Sequence, residues 1–443
     1  MNKKWYIVIL LALGLLTRFM FFGHPNETVF DEVHFGKFVS GYYTREYFFD
    51  IHPPLGKLTI AGFAKLFDFE PGFAFAEIGN KYPDKQYLTL RFLPSLAGAL
   101  LPLIIFLLAL EMGFAPLYAF TAGILIVLEN AILTQSHYIL MDAFLLLFGF
   151  ASLLFYFKYK NSTLRTTYYI LLFGLFSGLA MSVKWTGLGF LALPLVFEFA
   201  NIIRNKNLKS LLTTILLPLV TAVLIYFIFF TAHLVILNKS GPGDAFMRPG
   251  FQKTLAGNGY NDDDEIKLSN IFQKFNELNA EMYKANQRLT AEHPYSSQWY
   301  TWPLMTRAIY YWVNDNARIY LIGNPVIWWL STLAVLFLIA NYAANLKNYL
   351  KPVPIFLIGG YVLNLLPFIG VKRVMFLYHY FTALIFSILI LVYFLDNKKS
   401  PKWIIGTLIT LSALSFVYFS PLNYGLELSP KQYEARIWLD SWR

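Results

Sequence analysis

Apolar residues run along this chain in windows of about 20 residues, separated by shorter polar segments. A helix of that length crosses a bilayer, because each residue adds about 1.5 Å and the hydrocarbon core is about 30 Å thick. Eleven windows have this character, and they lie near residues 5–23, 92–112, 116–135, 138–157, 166–183, 185–201, 211–237, 319–341, 353–370, 374–395 and 403–420. The pattern predicts an all-α polytopic membrane protein with about 11 transmembrane helices in a single domain, 1–443.

Basic residues follow the connections between these windows in alternation. If the N-terminus is cytoplasmic, the loops on that side contain Lys158, Lys160, Arg165, Arg204, Lys206, Lys209, Lys347, Lys351, Lys398, Lys399 and Lys402. This is the distribution of the positive-inside rule, and an odd number of windows then places the C-terminus outside. We expect three external segments: a first loop at 24–91, a large loop at 238–318 and a C-terminal tail at 421–443.

The composition agrees with a membrane location and excludes several functions. The chain is 57% hydrophobic and 14% charged, with a mean hydropathy of +0.50, whereas soluble domains have about 25% charged residues. The net charge of +10 is distributed by membrane side rather than gathered in one patch, which argues against nucleic-acid binding. The absence of cysteine excludes disulfides, iron-sulfur clusters and thiolate zinc sites. The seven histidines form no close pair, so we expect no metal site.

The first external loop contains the densest mixture of titratable groups, FDEVHFGKFVSGYYTREYFFDIHPPLGK (30–57). Aromatic and aliphatic residues alternate with lysines over 48–69, which is typical of short helices in the membrane interface, and the HPP triplet breaks the chain between them. A plain amphipathic connector explains these aromatic residues. It does not explain Asp31 and Glu32, because an unpaired carboxylate at a low-dielectric surface is costly.

The adjacent carboxylates of Asp31 and Glu32 do not suit a two-acid catalytic pair. On a helix they point about 100° apart, and on a strand they point to opposite faces, so one substrate meets only one of them. A single base with a structural partner is the simpler assignment. Glycosyl transfer from a lipid phosphate needs one base, because the acceptor hydroxyl loses a proton while the phosphate leaves as an anion and requires cations.

Ionisable residues at the windows are functional candidates, because a charge at the bilayer centre costs about 2.5 to 3.5 kcal/mol. They are Arg18, Arg91, Glu111, Glu129, Asp142, Lys184, Arg373 and His379. Most lie near window ends, where long side chains reach the interface, and structural pairing explains them equally well. Lys184 and Arg373 differ, because they lie at predicted external turns, against the positive-inside trend. We expect them to face an anionic partner.

Two stretches of the large external loop carry weaker signals. The glycine-rich segment 240–260 lacks the strand and helix of a nucleotide-binding loop, so we do not interpret it as one. The acidic run 262–265 predicts the start of a helix. Apolar residues then recur at helical spacing from Leu268 to Met282, which predicts a packing face rather than chemistry.

The stretch 30–57 resembles the first external loop of the protein O-mannosyltransferases, the dolichyl-phosphate-mannose-dependent family of the GT-C superfamily. Further segments resemble the family in family order: LRFLPSLAGAL (90–100), LENAILTQSHYILMD (128–142), SVKWTGLG (182–189), GPGDAFM (241–247), HPYSSQWYTWPLM (293–305), YLIGNPVIWW (320–329) and YHYFTALIFSILIL (378–391). Essentially the whole chain is covered. The resemblance implies a GT-C glycosyltransferase fold with external juxtamembrane helices.

The resemblance also implies an activity: transfer of mannose from a polyprenyl phosphate to serine or threonine hydroxyls of secreted or membrane proteins, with inversion at the anomeric carbon. The lipid-linked sugar is then a substrate, and no cofactor or metal is expected. Eukaryotic members insert a β-trefoil MIR domain into the large external loop, and roughly eighty residues leave no room for one. This implies a short microbial member in the plasma membrane with an external active site, or an endoplasmic reticulum protein with a luminal site if eukaryotic.

Carried onto this chain, the family's acidic pair falls on Asp31 and Glu32, with Asp31 as the base. Its functional arginines fall on Arg18 and Arg91, and we expect one of them to pair with Glu32. The residues assigned to the donor phosphate are Lys184, Arg373, His52, His379 and, less directly, Arg91. The residues assigned to structure or site support are Arg18, His137 and Asp142, and those assigned to the acceptor are Trp302 and Pro303. His137 stands where the family usually has arginine, which makes an anion contact there pH-dependent or absent.

Two other classes remain open. A lipid-directed GT-C enzyme, such as an aminoarabinose transferase, shares an external aspartate and a polyprenyl donor, whereas HPYSSQWYTWPLM favours the protein-directed family. A transporter is the non-enzyme alternative, but it would show inverted repeats and broken helices near the midplane, and no internal repeat is evident. The sequence also leaves open the acceptor, the polyprenol length and whether the chain forms a homo- or hetero-oligomer.

Overall fold

The computed structural model describes residues 3–162, 166–288, 293–344 and 352–443, so Arg165, Lys347 and Lys351 lie outside the described residues. Its helices in the first half are α1 (Lys3–Phe19), α2 (Glu32–Thr44), α3 (Leu55–Ala64), α4 (Tyr87–Glu111), α5 (Pro116–Val127), α6 (Asn130–His137), α7 (Asp142–Asn161), α8 (Thr167–Val183), α9 (Leu188–Asn205) and α10 (Leu217–Ile236). Those in the second half are α11 (Pro249–Gln252), α12 (Ile271–Arg288), α13 (Pro325–Ala344), α14 (Pro352–Leu363), α15 (Phe381–Asn397), α16 (Lys402–Tyr424) and α17 (Pro430–Glu434). Two strands, β1 (Ile309–Asn314) and β2 (Ala317–Leu321), form an antiparallel hairpin.

The predicted all-helical membrane class is confirmed, but the count of eleven spans is not. Among the described residues, eight helical segments have the length and apolar composition needed to cross a membrane, or nine if the bent pair α5 and α6 forms one span. Helices α1 and α8 match predicted windows, yet each has 17 residues, the lower limit for crossing a bilayer. Helix α4 lies between α1, α5 and α7, and its buried face joins these helices into one apolar core.

The predicted span 116–135 is broken rather than continuous. Helices α5 and α6 meet at an angle of 55°. At the break, the Glu129 carboxylate accepts hydrogen bonds from the backbone N–H groups of Ile132 (2.8 Å) and Asn324 (2.9 Å). These bonds satisfy polar groups that the interrupted helix exposes, as an N-cap does. The bend directs the end of α6 toward the first external loop.

Of the short helices predicted over 48–69, the one after the HPP triplet is present as α3, which Pro54 precedes, whereas the residues of this stretch before the triplet form no helix. Helix α2 lies earlier in the loop than the predicted helices. The predicted span 92–112 begins earlier, at Tyr87, so the first loop is shorter than its predicted bounds. The predicted tail 421–443 likewise begins later, because α16 continues to Tyr424. The tail is anchored at Trp442, whose buried indole N–H donates to the Met305 carbonyl (2.7 Å).

The hairpin formed by β1 and β2 was not predicted, because the apolar residues of β2 were assigned to the start of the span 319–341. That helix begins instead at Pro325. Strand β1 also holds the chain that leads into α2. The Phe30 N–H donates to the Tyr311 carbonyl (3.2 Å), and the two rings are stacked with their centroids 3.9 Å apart. The hairpin therefore fixes the position of the residue that follows Phe30.

Candidate active site

Asp31 lies immediately before α2, with its side chain partly buried. Phe30, the preceding residue, has a φ of 47° in the left-handed region that side chains rarely adopt. Its contacts with Tyr311 hold this conformation. None of the residues that the structure describes forms a hydrogen bond or ion pair with the Asp31 carboxylate, while the Asp31 carbonyl accepts the first hydrogen bonds of α2. The carboxylate is therefore available to a ligand.

The surroundings of Asp31 raise its basicity. Burial raises the pKa of the Asp31 carboxyl from 3.8 to about 6, because removal from water disfavours the charged form. The positive charges of His34 and Lys184 oppose this rise, and the negative charges of Asp142 and Asp50 add to it. At neutral pH the group is ionised but only about one pH unit above its pKa, which suits a general base.

Glu32 points away from Asp31 into a fully buried network. Its two carboxylate oxygens accept two hydrogen bonds from Arg91, from Nε and Nη2, each of 2.7 Å. They also accept the backbone N–H groups of Val29 and Ile139, each at 2.9 Å, and the Tyr82 hydroxyl at 3.1 Å. The structure thus shows the expected pairing of Glu32 with an arginine, and the arginine is Arg91. The pair ties the start of α2 to α4 and to the chain that follows α6.

Arg91 is fully buried, and its remaining hydrogen bonds go to the carbonyls of Pro25 (2.7 Å) and Glu27 (2.8 Å). Three aromatic rings, those of Tyr82, Tyr87 and Tyr138, lie within 5.5 Å of its guanidinium carbon. Because the N–H groups of Arg91 are hydrogen-bonded within the protein and its guanidinium group is covered by aromatic rings, Arg91 cannot contact the phosphate of the lipid-linked sugar. Its assignment to the phosphate is therefore wrong, and its role is to hold Glu32.

A cavity of about 780 Å³ lies close to Asp31, although Asp31 is not itself among the residues that line it. Residues from five regions form its wall: the turn before α3, the start of α7, the turn before α9, the end of α12, and the segment 367–382. The negative charge of Asp31 is close enough to interact electrostatically with Arg373 and Tyr378. Both of these residues line the cavity. We call this the large cavity. Its size suits a sugar phosphate with part of a lipid chain.

Lys184 and Arg373, the two cations expected to face an anion, both line the large cavity. Lys184 is paired with Asp142, at 2.8 Å from each carboxylate oxygen, and Asp142 also accepts a hydrogen bond from Gln135 (2.6 Å). Arg373 donates to the Asn286 side chain and to the Val374 carbonyl. Lys184 is thus held in place by an acidic partner, whereas Arg373 is held by neutral groups and has no acidic partner among the described residues.

His52 and His379 also line the large cavity. Burial, followed by the nearby charges of Lys184, Arg373 and Lys57, lowers the pKa of His52 well below its ordinary value. His52 is therefore a neutral hydrogen-bonding group at neutral pH and not a cation. The His379 ring is stacked between Trp302 and Tyr378.

Arg18 and His137 lie in the protein core, away from the residues that line the large cavity. Arg18 donates to the carbonyls of Ile126 (2.9 Å) and Val127 (2.7 Å), at the end of α5, where the break exposes them. No described residue forms a hydrogen bond with either ring nitrogen of His137. These positions agree with structural roles and exclude direct contact of either side chain with the large cavity.

The assignment of Trp302 to the acceptor is wrong. Its side chain is fully buried, with the indole N–H donating to the Ser297 hydroxyl (2.9 Å) and the ring stacked on His379. Trp302 therefore supports the cavity wall from behind. Pro303 is partly buried, and its carbonyl accepts a hydrogen bond from Thr332 (2.7 Å). It does not line the large cavity.

Several residues of the site were missed in the sequence. Asp50 and Lys57 form a buried ion pair across the HPP turn, and Lys57 also donates to the His52 carbonyl (3.0 Å), which holds His52 at the cavity wall. Their spacing around two prolines was a usable signal. Helix α12 begins at Ile271, well after the acidic run, and brings Asn286 to Arg373, so it contributes to the site as well as to packing. Among the described residues, no group of three His, Asp or Glu side chains is arranged to hold a metal ion.

Two solved structures show which fold this chain has. The S. cerevisiae protein O-mannosyltransferase Pmt1-Pmt2 complex bound to the sugar donor matches with a TM-score of 0.92 at 21% identity, over 100% of this chain and 93% of that chain. ArnT from Cupriavidus metallidurans bound to undecaprenyl phosphate matches with a TM-score of 0.55 at 13% identity, over 95% of this chain and 71% of that chain. The fold is that of the GT-C glycosyltransferases.

Sequence comparison shows the family. Residues 8–238 match the family model of the dolichyl-phosphate-mannose-protein mannosyltransferases, and residues 271–442 match the C-terminal four-helix transmembrane region of protein-O-mannosyltransferase. The chain belongs to the dolichyl-phosphate-mannose-protein mannosyltransferase family.

Two curated relatives give the extent of the similarity. Dolichyl-phosphate-mannose-protein mannosyltransferase 4 of Saccharomyces cerevisiae is 33% identical over 274 residues, which cover 57% of this chain and 35% of the relative. Protein O-mannosyl-transferase 1 of Mus musculus is 34% identical over 268 residues, which cover 57% of this chain and 36% of the relative. The chain therefore matches about a third of the length of these relatives.

Proposed function

We propose that this chain transfers mannose from a polyprenyl-phosphate mannose to serine or threonine hydroxyls of secreted or membrane proteins. The reaction inverts the anomeric carbon and uses Asp31 as its single general base. The protein acts as a multi-pass membrane enzyme, with the large cavity on the external face of a microbial plasma membrane or the luminal face of the endoplasmic reticulum. Family membership supports the reaction class, and the site geometry supports the assignment of roles.

One observation carries this proposal: the unpaired carboxylate of Asp31 lies beside a cavity that presents Lys184 and Arg373. A base and a cation site next to each other are what the reaction requires. The acceptor hydroxyl must lose a proton on one side of the sugar, and the departing phosphate must be stabilised on the other. Glu32, in contrast, has its hydrogen-bonding capacity filled, so it supports the base and takes no part in proton transfer.

In the proposed reaction, the acceptor oxygen attacks C1 of mannose while its proton passes to Asp31. The bond between C1 and the phosphate oxygen breaks, and its electron pair stays on that oxygen. The products are the O-mannosyl protein and the polyprenyl phosphate. Arg373 binds the phosphate through charge-assisted hydrogen bonds, Lys184 adds to the positive potential, and neutral His52 and His379 supply further hydrogen-bonding groups at the wall.

Removing the positive charge of Arg373 should weaken donor binding. We expect Arg373→Met to raise the Kd for polyprenyl-phosphate mannose by roughly ten- to a hundred-fold, the loss typical of a hydrogen bond to a charged group, with little change for a peptide acceptor. Lys184→Met should have the same direction, with some loss of stability because Asp142 loses its partner. Titration of the purified protein with donor measures both. Lys267→Met, an exposed cation outside the large cavity, is the control. Unchanged donor affinity in both variants would remove the phosphate assignment.

The transfer rate should depend on pH through Asp31. Because its pKa is raised to about 6, the carboxylate is protonated below that pH and the base is lost. We expect the single-turnover rate to be level above about pH 7 and to fall about ten-fold per pH unit below about pH 5.5. Donor affinity measured at each pH separates this effect from binding. A rate that stays level down to pH 4.5 would show that no group with this pKa acts as the base.

The proposed acceptor class is tested by offering different acceptors to the same enzyme. Purified protein in vesicles with polyprenyl-phosphate mannose is given a serine- and threonine-containing peptide, the same peptide with alanine at those positions, or a glycolipid. We expect intact-mass analysis to show one or more added hexoses on the first peptide alone. Hexose on the glycolipid with none on the peptide would assign the chain to lipid-directed transfer.

A further inference from the structure

A second cavity, of about 130 Å³, lies at the opposite end of the same helices. Asp142 at the start of α7 lines the large cavity, whereas Lys160 near the end of α7 lines this one. Their separation of 18 positions along α7 places the two about 27 Å apart along the helix axis. The second cavity is therefore at the other membrane face, which the distribution of basic loops predicts to be cytoplasmic. We call it the polar cavity.

Glu198 of α9 forms the floor of the polar cavity and is almost fully buried. Its Oε1 accepts hydrogen bonds from the Tyr156 hydroxyl and the Lys160 ammonium, each of 2.8 Å. Its Oε2 accepts no hydrogen bond from any residue that the structure describes. This oxygen is accessible from the cavity that Glu198 lines, so it can accept a hydrogen bond from an occupant. A cationic or N–H-bearing group from outside the chain would satisfy it.

The wall of the polar cavity is hydrophilic and carries a positive charge at its edge. Lys160 is 37% exposed and donates one hydrogen bond to the described residues, so among these residues its other two N–H groups have no partner and can bind an anion. Asn201 and Asn205, from the last turn of α9, hydrogen-bond to each other at 2.7 Å, and Thr214 lines the opposite side. The cavity thus offers an acceptor at its floor and donors at its edge.

An adjoining groove of about 210 Å³ connects the polar cavity to the lipid-facing surface. The two share Tyr159 and Ser210, and the groove continues along Ile170 and Leu217. Neighbouring parts of the chain expose large apolar side chains, namely Phe199 and Ile203 of α9 and Leu208 and Leu212 before α10. In a membrane protein such a surface contacts acyl chains. An occupant of the polar cavity therefore enters from the bilayer.

We propose that the polar cavity and its groove bind one phospholipid whose head group carries a primary ammonium next to its phosphate. The ammonium donates to Oε2 of Glu198, the phosphate pairs with Lys160, and an acyl chain lies in the groove. The site selects by hydrogen bonding and charge. A trimethylated ammonium has no N–H to donate to Oε2, and a head group without an amine leaves Oε2 unpaired.

Competitive lipid binding tests this assignment. Purified protein in detergent is mixed with equal amounts of phosphatidylethanolamine, phosphatidylcholine and phosphatidylglycerol with identical acyl chains, and retained lipids are counted by native mass spectrometry. We expect the protein to retain about ten-fold more phosphatidylethanolamine than either other lipid. One charge-assisted hydrogen bond is strong enough to give a preference of this size. Glu198→Gln should abolish this preference. Glu111→Gln, a carboxyl of the same membrane face that does not line the cavity, should retain it.

A surface variant covers the case in which Glu198→Gln does not fold. Asn201 is exposed at the cavity mouth, and Asn201→Leu should block entry and lower phosphatidylethanolamine retention to the level of the other lipids. Equal retention of all three lipids by the wild type would overturn the proposal, as would an unchanged preference in Glu198→Gln or Asn201→Leu. Lipid retention is measured without donor or acceptor, so the result does not depend on the proposed mannosyl transfer.

Discussion

Replacing Asp31 by asparagine is expected to lower mannosyl transfer by about 100- to 10,000-fold. Asparagine keeps the size and shape of the side chain but does not accept the proton of the acceptor hydroxyl. The loss corresponds to roughly 2.7 to 5.5 kcal/mol of transition-state stabilisation. Because no described residue forms a hydrogen bond or ion pair with the Asp31 side chain, the substitution breaks no such bond among the described residues. Folding and donor affinity should therefore be unchanged, and the change should fall on the rate of the chemical step.

Asp68→Asn is the matched control for this experiment. Asp68 is an exposed aspartate of the same external loop, with a φ of 51° that asparagine tolerates well. Its transfer rate, thermal midpoint and donor affinity should equal those of the wild type. Transfer by Asp31→Asn within a few-fold of wild type would show that another group accepts the proton.

Breaking the pair between Glu32 and Arg91 is expected to have the largest effect on stability. Both side chains are fully buried, and removing one leaves an uncompensated charge. We expect Glu32→Gln or Arg91→Met to cost roughly 3 to 5 kcal/mol and to lower the yield of folded protein. Transfer should fall as well, because Glu32 binds the backbone N–H of Val29 and thereby holds the start of α2. Thermal unfolding in detergent micelles, alongside transfer rates, measures both effects.

A double variant distinguishes loss of charge balance from loss of packing. Glu32→Leu combined with Arg91→Met removes both charges, so it should be more stable than Arg91→Met alone. Glu70→Gln, an exposed carboxyl in the same loop, is the control and should unfold as the wild type does. A Glu32→Gln protein with wild-type thermal midpoint and normal turnover would contradict this account of the pair.

Much of the fold was predictable, because long apolar windows have one stable solution in a bilayer. One exception is a place where a backbone N–H group forms its hydrogen bond with a residue far away in the sequence. The break at Glu129 depends on the N–H of Asn324, nearly two hundred residues later, which local sequence does not reveal. The β1–β2 hairpin is a second exception and has a different cause. The residues of β2 are as apolar as the start of a membrane helix, so the hairpin was missed.

The part of the site that could be predicted from the sequence consists of basic residues on an unexpected side of the membrane. Lys184 and Arg373 were selected as cations on the unexpected membrane side, and both line the large cavity. Arg91 and Trp302 were assigned wrongly, because sequence shows residue type but not burial, and both are fully enclosed. Asn286 was not considered at all, since nothing in the composition of α12 indicates that its end reaches Arg373.

The central claim is that this chain moves mannose directly from a polyprenyl phosphate to a peptide hydroxyl. The most direct measurement is a single-turnover experiment with purified protein, stoichiometric polyprenyl-phosphate mannose and excess serine/threonine peptide, with a metal chelator present, followed by intact-mass analysis of the peptide over time. We expect the peptide to gain one hexose as the donor is consumed, at a rate unaffected by the chelator. Donor consumption without a hexose on the peptide, or transfer that requires added divalent metal, would contradict it.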